Sequence, residues 1–174
     1  MMNQIRCGVI CSVLLVALAG FCIADEAPGY LVYVQGGEGS ITNGSDGATV
    51  ITVKDIVPYY HITDNEKSSL IPVERLANLP YPLSTALVFS GDDNETTFMV
   101  QVSQLSLSDG NTVLTLQVEP LPYYEGDRLA SFTSKGLKTL VESQYTKSAI
   151  YMDMAGTPPE NGCPPTFCCG DDCN

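Results

Sequence analysis

Four cysteines crowd the end of the chain: Cys163, Cys168, Cys169 and Cys173, spaced C-x4-C-C-x3-C. As thiolates they could hold zinc or another soft metal, but the paired C-x2-C arms of a zinc ribbon are missing. In an oxidising compartment such a cluster forms disulfides instead, which is the favoured reading here. A bridge between the neighbours Cys168 and Cys169 would be strained, so each is expected to pair with Cys163 or Cys173. No cofactor is expected; interchain links or redox chemistry come next after disulfides, and a metal ion on these four cysteines after those.

Other chemistry is sparse. His61 is the one histidine of the chain. A serine triad would need it as base, and no serine sits in a nucleophile turn. Beside Tyr59 and Tyr60, His61 reads as a strand residue. Asp92-Asp93-Asn94-Glu95 offers hard oxygen ligands without the spacing of a calcium loop, so a solvated turn is the simpler reading. Asn43-Gly44-Ser45 and Asn94-Glu95-Thr96 are glycosylation sequons, relevant only in a eukaryotic secretory pathway. G-x-S-x-G, H-E-x-x-H, the Walker loop and G-x-G-x-x-G are all absent from the sequence. The chemistry thus leans away from an enzyme.

The compartment is set by the N-terminus. Arg6 precedes an apolar run from Val9 to Phe21, and Cys22-Ile23-Ala24 places small residues at a cleavage site. Residues 1–24 read as a signal peptide, cut after Ala24. A retained anchor is the alternative, but the run is short for a membrane span. No second run of spanning length follows, so no transmembrane segment is expected in the mature chain. Localisation is expected to be exported, periplasmic or extracellular. Cys7, Cys11 and Cys22 leave with the leader. The net charge is −12, and losing Arg6 makes it more negative still. That excludes nucleic acid and anionic membranes as natural partners; a protein or cell-envelope partner fits better.

Residues 25–155 must position whatever function there is. Phe98, Val100 and Val102 alternate with polar neighbours and Met99, as do Leu114, Leu116 and Val118, which is the period of a half-buried strand. Ser108-Asp109-Gly110-Asn111 between them is a tight-turn signal. Leu105 and Leu107 shift the buried set from even to odd numbers, which predicts a bulge near Ser103 and Gln104. Further strands are expected at 29–35, 41–42, 48–54 and 149–152. Thr85–Phe89 is too continuous to have a wet face. Tyr59–Ile62 reads as an edge strand after Pro58. Pro72–Leu79 reads as a short helix. Leu129, Phe132, Leu137, Leu140 and Val141 suggest a late helix capped by Asp127. The composition beyond Ala155 turns to Pro, Gly and Cys, so residues 156–174 are expected to be a disordered or disulfide-stapled tail.

Short strands separated by turn signals predict a mainly β fold, an antiparallel β-sandwich. It is immunoglobulin-like in architecture but lacks the hallmark tryptophan and cross-sheet cysteines. A small barrel or an α+β fold is the alternative.

The runs VKDIVPYYHITDNE, PLSTALVFS and VSQLSLSDGNTVLTLQVEPL resemble a group of small exported bacterial proteins of uncharacterised role. That group has an L-K-x-V-x-P strand end, then D-R-P, P-N-A-x-L, a long hairpin and a late hydrophobic-I-D segment. Lys54–Pro58 and Ile62–Asp64 match the first part, Ser84–Leu87 the next loosely, and Ile150–Asp153 the last. Asp64-Asn65-Glu66 departs from D-R-P. The resemblance spans Tyr30 to Asp153, implies export, and carries no catalytic residue with it.

The leading expectation is a non-catalytic exported module with a structural or partner-binding role, recognising its partner through its surface or by strand addition around Tyr59–Ile62. A metal-binding protein using the cysteine tail and a hydrolase with an unrecognised acidic site are the alternatives.

Overall fold

The computed structural model describes residues 28–44, 48–64, 67–91, 95–133 and 140–158. Residues 1–27, where a signal peptide is expected, residues 92–94 and the four C-terminal cysteines lie outside them.

Ten strands follow one another: β1 Gly29–Gly36, β2 Gly39–Asn43, β3 Thr49–Val53, β4 Tyr59–Asp64, β5 Lys67–Pro72, β6 Leu83–Ser90, β7 Glu95–Ser108, β8 Val113–Pro120, β9 Ser143–Tyr145 and β10 Lys147–Ala155. A 3-10 helix, Val73–Asn78, links β5 to β6, and α1 is a single turn at Ala130–Thr133. All pairs are antiparallel, in the order β5-β4-β1-β10-β6-β7-β8-β3-β2-β9. β5 and β9 are each paired on one side only, so the sheet does not close and the barrel alternative falls.

Three strand corners fold this ribbon into two facing layers, as strands do when they switch sheets through bends and bulges. β1 runs into β2 through Gly37-Glu38, and β9 into β10 through Thr146 alone. At these corners Ser148 Oγ donates to the Gly37 carbonyl at 2.9 Å and Thr146 N–H to the Ser90 carbonyl at 3.0 Å. The third corner is the long strand β7. Its register shifts between Val102 and Gln104, the bulge the frame change predicted. Phe98, Val100 and Val102 are buried before it, Leu105 after it. The layers meet where Phe89 of β6 stacks on Tyr145 of β9, centroids 4.7 Å apart and 12° from parallel. One continuous apolar core results, including Val32, Ile51, Leu87, Val100, Leu116 and Met152.

The turn at Asp109, Gly110 and Asn111 has all three residues at positive φ, which Gly, Asp and Asn tolerate best.

Four expectations need correction. Met99, on the face expected to be wet, is buried, because the segment after β8 crosses that face and seats Leu129 over Met99 and Ala86. The late helix is one turn; Leu140 and Val141 lie beyond it in irregular chain, and residues 134–139 lie outside the described set. Tyr59–Asp64 is not an edge: β4 sits between β1 and β5. β5 and β9 themselves were not expected as strands.

Candidate functional site

The candidates singled out by residue type are dispersed. Cys163, Cys168, Cys169, Cys173 and Asn94 lie outside the described residues. Asn43 ends β2, exposed, its Nδ2 donating to Glu142 Oε1 at 3.2 Å. His61 is exposed on β4, in a cross-strand row of rings with Tyr33 and Tyr151; Phe132 closes the row from α1. Ring centroids are 5.9 Å apart for Tyr33–His61, 4.9 Å for Tyr33–Tyr151 and 4.7 Å for Phe132–Tyr151. At the two shorter spacings the rings are tilted 34° and 36° from parallel, within the range of aromatic pairs that stabilise a sheet. Among the described residues no three His, Cys, Asp or Glu side chains gather as a metal site would require. No described helix is long and apolar enough to cross a membrane.

Three features remain. The first is the free edge of β5. Its side toward β4 is fully paired, from Tyr59↔Pro72 to Asp64↔Lys67, and its other side has no strand partner among the described residues. Leu70 is 47% exposed there, with Tyr59 and Val57 exposed nearby.

The second is a cluster on β10. Asp153 accepts from the Tyr124 hydroxyl at 2.6 Å on Oδ2 and from Arg128 Nη1 at 3.2 Å on Oδ1. Burial, and then the carboxylate beside it, push the Tyr124 phenol well above its usual range. Arg128 and Asp153 line an open cleft of ≈ 400 Å³ with Tyr81, Pro82 and Ser84. Asp153 is the one carboxylate lining it, already engaged twice.

The third is a neighbouring cleft of ≈ 420 Å³, which shares Pro80 as a wall. Tyr30 of β1 and Tyr60 of β4 reach it from the sheet; Arg75 and Asn78 come from the 3-10 helix, and Leu79 and Thr157 complete it. Tyr60 is 1% exposed and Tyr30 6%, yet neither hydroxyl has a hydrogen-bond partner among the described residues. Tyr81 Oη is the side-chain atom buried without a partner among the described residues; the Tyr30 and Tyr60 oxygens instead stay open to the cleft, where each can donate. Burial pushes the Tyr60 phenol up to about 12; Tyr30 raises it further and Arg75 opposes the rise.

Residue-by-residue reading missed this cleft. Tyr30 and Tyr60 read only as strand residues and Arg75 as part of a short helix, and only the fold brings them together. A weak signal existed: a tyrosine at a core position of a strand carries a hydroxyl that must go somewhere.

No family model, curated protein or solved structure matches the chain.

Proposed function

We propose that the chain is an exported, non-catalytic module that binds a protein partner by adding one of the partner's strands to β5. The observation that carries this reading is the free edge of β5 beside exposed Leu70. An unpaired strand offers a row of backbone donors and acceptors to an incoming extended segment. Lys67 and Pro72 at its two ends are the residue types that blunt edges, leaving Ser68–Ile71 as the usable stretch. The net charge of −12 favours a basic segment, from an envelope or extracellular protein. Three facts support a non-catalytic role. The one histidine stands in a row of rings, the sequence lacks catalytic motifs, and the surface clefts at Glu38, at Glu142 and at Asp153 each have a single carboxylate among their described lining residues.

A photo-crosslinking residue in place of Leu70 tests this in the exporting cell. The expected result is one adduct of defined mass that Ser68→Pro, which removes an N–H facing the free edge, abolishes and that a probe at exposed Tyr123 does not give. An adduct indifferent to Ser68→Pro, or no adduct, overturns strand addition at β5.

A further inference from the structure

We infer that the cleft between Tyr30, Tyr60 and Arg75 binds a small monocarboxylate with a compact apolar body, independently of any strand added at β5. The donor set suits this ligand. A guanidinium presents parallel N–H groups that match the two oxygens of a carboxylate. Lys54 and Arg128 spend their charge on Glu38 and Asp153, at 3.1 and 3.2 Å, whereas Arg75 has no ion-pair partner among the described residues. The Tyr30 and Tyr60 hydroxyls each have a donor to give and no protein acceptor among those residues. Both side chains are more than nine-tenths buried, so what remains open of them faces the cleft. Asn78 and Thr157 add an amide and a hydroxyl at the rim.

Size and charge narrow the class. The ≈ 420 Å³ cleft falls in the range of small-molecule sites, roughly 300–1,000 Å³. Leu79, Pro80 and the two phenol rings form an apolar wall for the body of the ligand. One guanidinium balances one negative charge. A phosphate dianion would leave an uncompensated charge on a chain already at −12. Sequence separation explains why the cleft is invisible in the chain: β1, β4, the 3-10 helix and the residues after β10 each supply a part.

The test is an NMR titration of the isotope-labelled chain near neutral pH with N-acetyl-leucine, its uncharged amide, and inorganic phosphate. The expected result is saturable shifts at the Arg75 guanidinium and the Asn78 side-chain amide with N-acetyl-leucine alone. Arg75→Gln should weaken binding at least tenfold, Tyr60→Phe several-fold, and Lys147→Gln not at all. Arg75 is exposed, so Arg75→Gln leaves the fold intact; should Tyr60→Phe fold poorly, the acid-against-amide comparison still decides. Equal binding of the amide, binding unchanged in Arg75→Gln, tighter saturation by phosphate, or shifts confined to other surfaces would each overturn the inference.

Discussion

The Tyr124 hydroxyl donates to Asp153 Oδ2 at 2.6 Å, which ties the segment after β8 to the central strand β10. Arg128 grips the other oxygen of the same carboxylate from the same segment. Leu129 N–H reaches back to Tyr124 Oη at 3.4 Å, and Leu129 itself is fully buried over Met99 and Ala86. A carboxylate engaged from both sides fixes where the crossing segment lies, and so keeps Leu129 over the outer face of β6 and β7.

Asp153→Ala should therefore cost about 1–3 kcal/mol in urea unfolding, because it strands a half-buried guanidinium and a phenol together. The pair is partly exposed, side chains 29% and 18%, which keeps the cost below that of a fully buried ion pair. Tyr124→Phe alone should cost about 1 kcal/mol. The double variant should cost clearly less than the sum, since both changes remove one shared hydrogen bond. Strict additivity would mean that Tyr124 and Asp153 do not act together in solution.

A second prediction separates the two faces of β7. Val100 and Leu116 are fully buried in the main core, so an aspartate at either should cost several kcal/mol through desolvation. Met99→Asp should cost a comparable amount although Met99 alternates with Val100, because Met99 is 4% exposed beneath Leu129. Gln117→Asp, half-buried on the other side, should be nearly neutral. Thermal melts in which Met99→Asp matches Gln117→Asp would show that the crossing segment does not cover this face.

The contrast between Val100 and Met99 marks how far the sequence can be read. Alternation reports that a strand has two faces, and the frame change from Val102 to Leu105 was enough to place the bulge. It cannot report that a distant segment will cover the second face, which is why Met99 looked wet. β5 escaped notice because Lys67-Ser68-Ser69-Leu70 has no apolar alternation; its pairing to β4 is made by the backbone. β9 is three residues long and leaves no period to detect. The clefts were illegible for the same reason as the cover: Tyr30, Tyr60 and Arg75 follow the rules of their own elements, and only tertiary packing juxtaposes them.

Alkaline pH should weaken the fold through Tyr60. Its phenol is pushed up to about 12 in the native state, burial being the main cause. The unfolded chain titrates near 10, so above that pH it sheds a proton that the native state still holds. The stabilisation is fully present below pH 10 and is lost as pH rises from 10 toward 12. The full shift would be worth 1.36 kcal/mol per unit, and solvent reaching the phenol from the cleft reduces the effect to about 1 kcal/mol. Tyr30, Tyr81 and Tyr124 are raised by burial too and steepen the same fall. Urea midpoints taken between pH 8 and 11 should fall steeply above 10, and less steeply in Tyr60→Phe. Equal slopes in the two proteins would show that the Tyr60 phenol is fully open to water.

The corner between β1 and β2 offers the most direct test of the two-layer fold. Gly39 is the first residue of β2, and the backbone there passes close beneath β6 and β10. A Cβ at this position would stand 2.5 Å from Ser148 Oγ and 2.6 Å from the Phe89 ring. Ser148 has little room to move, since it is 3% exposed and its hydroxyl holds the Gly37 carbonyl. Phe89 is fully buried and stacked on Tyr145. Gly39→Ala must therefore push the two layers apart or break that stack, and overpacking of this kind costs about 1–3 kcal/mol. Gly91→Ala is the matched control: beyond its chain neighbours its Cβ would meet no atom of the described residues within 4 Å, so the change should be nearly silent. Gly39→Ala should lower the melting temperature by several degrees or more, with Gly91→Ala within about a degree of the parent. An equal response from both would mean that β2 does not fold onto β6 and β10 in solution, and that the ribbon is flatter than two facing layers require.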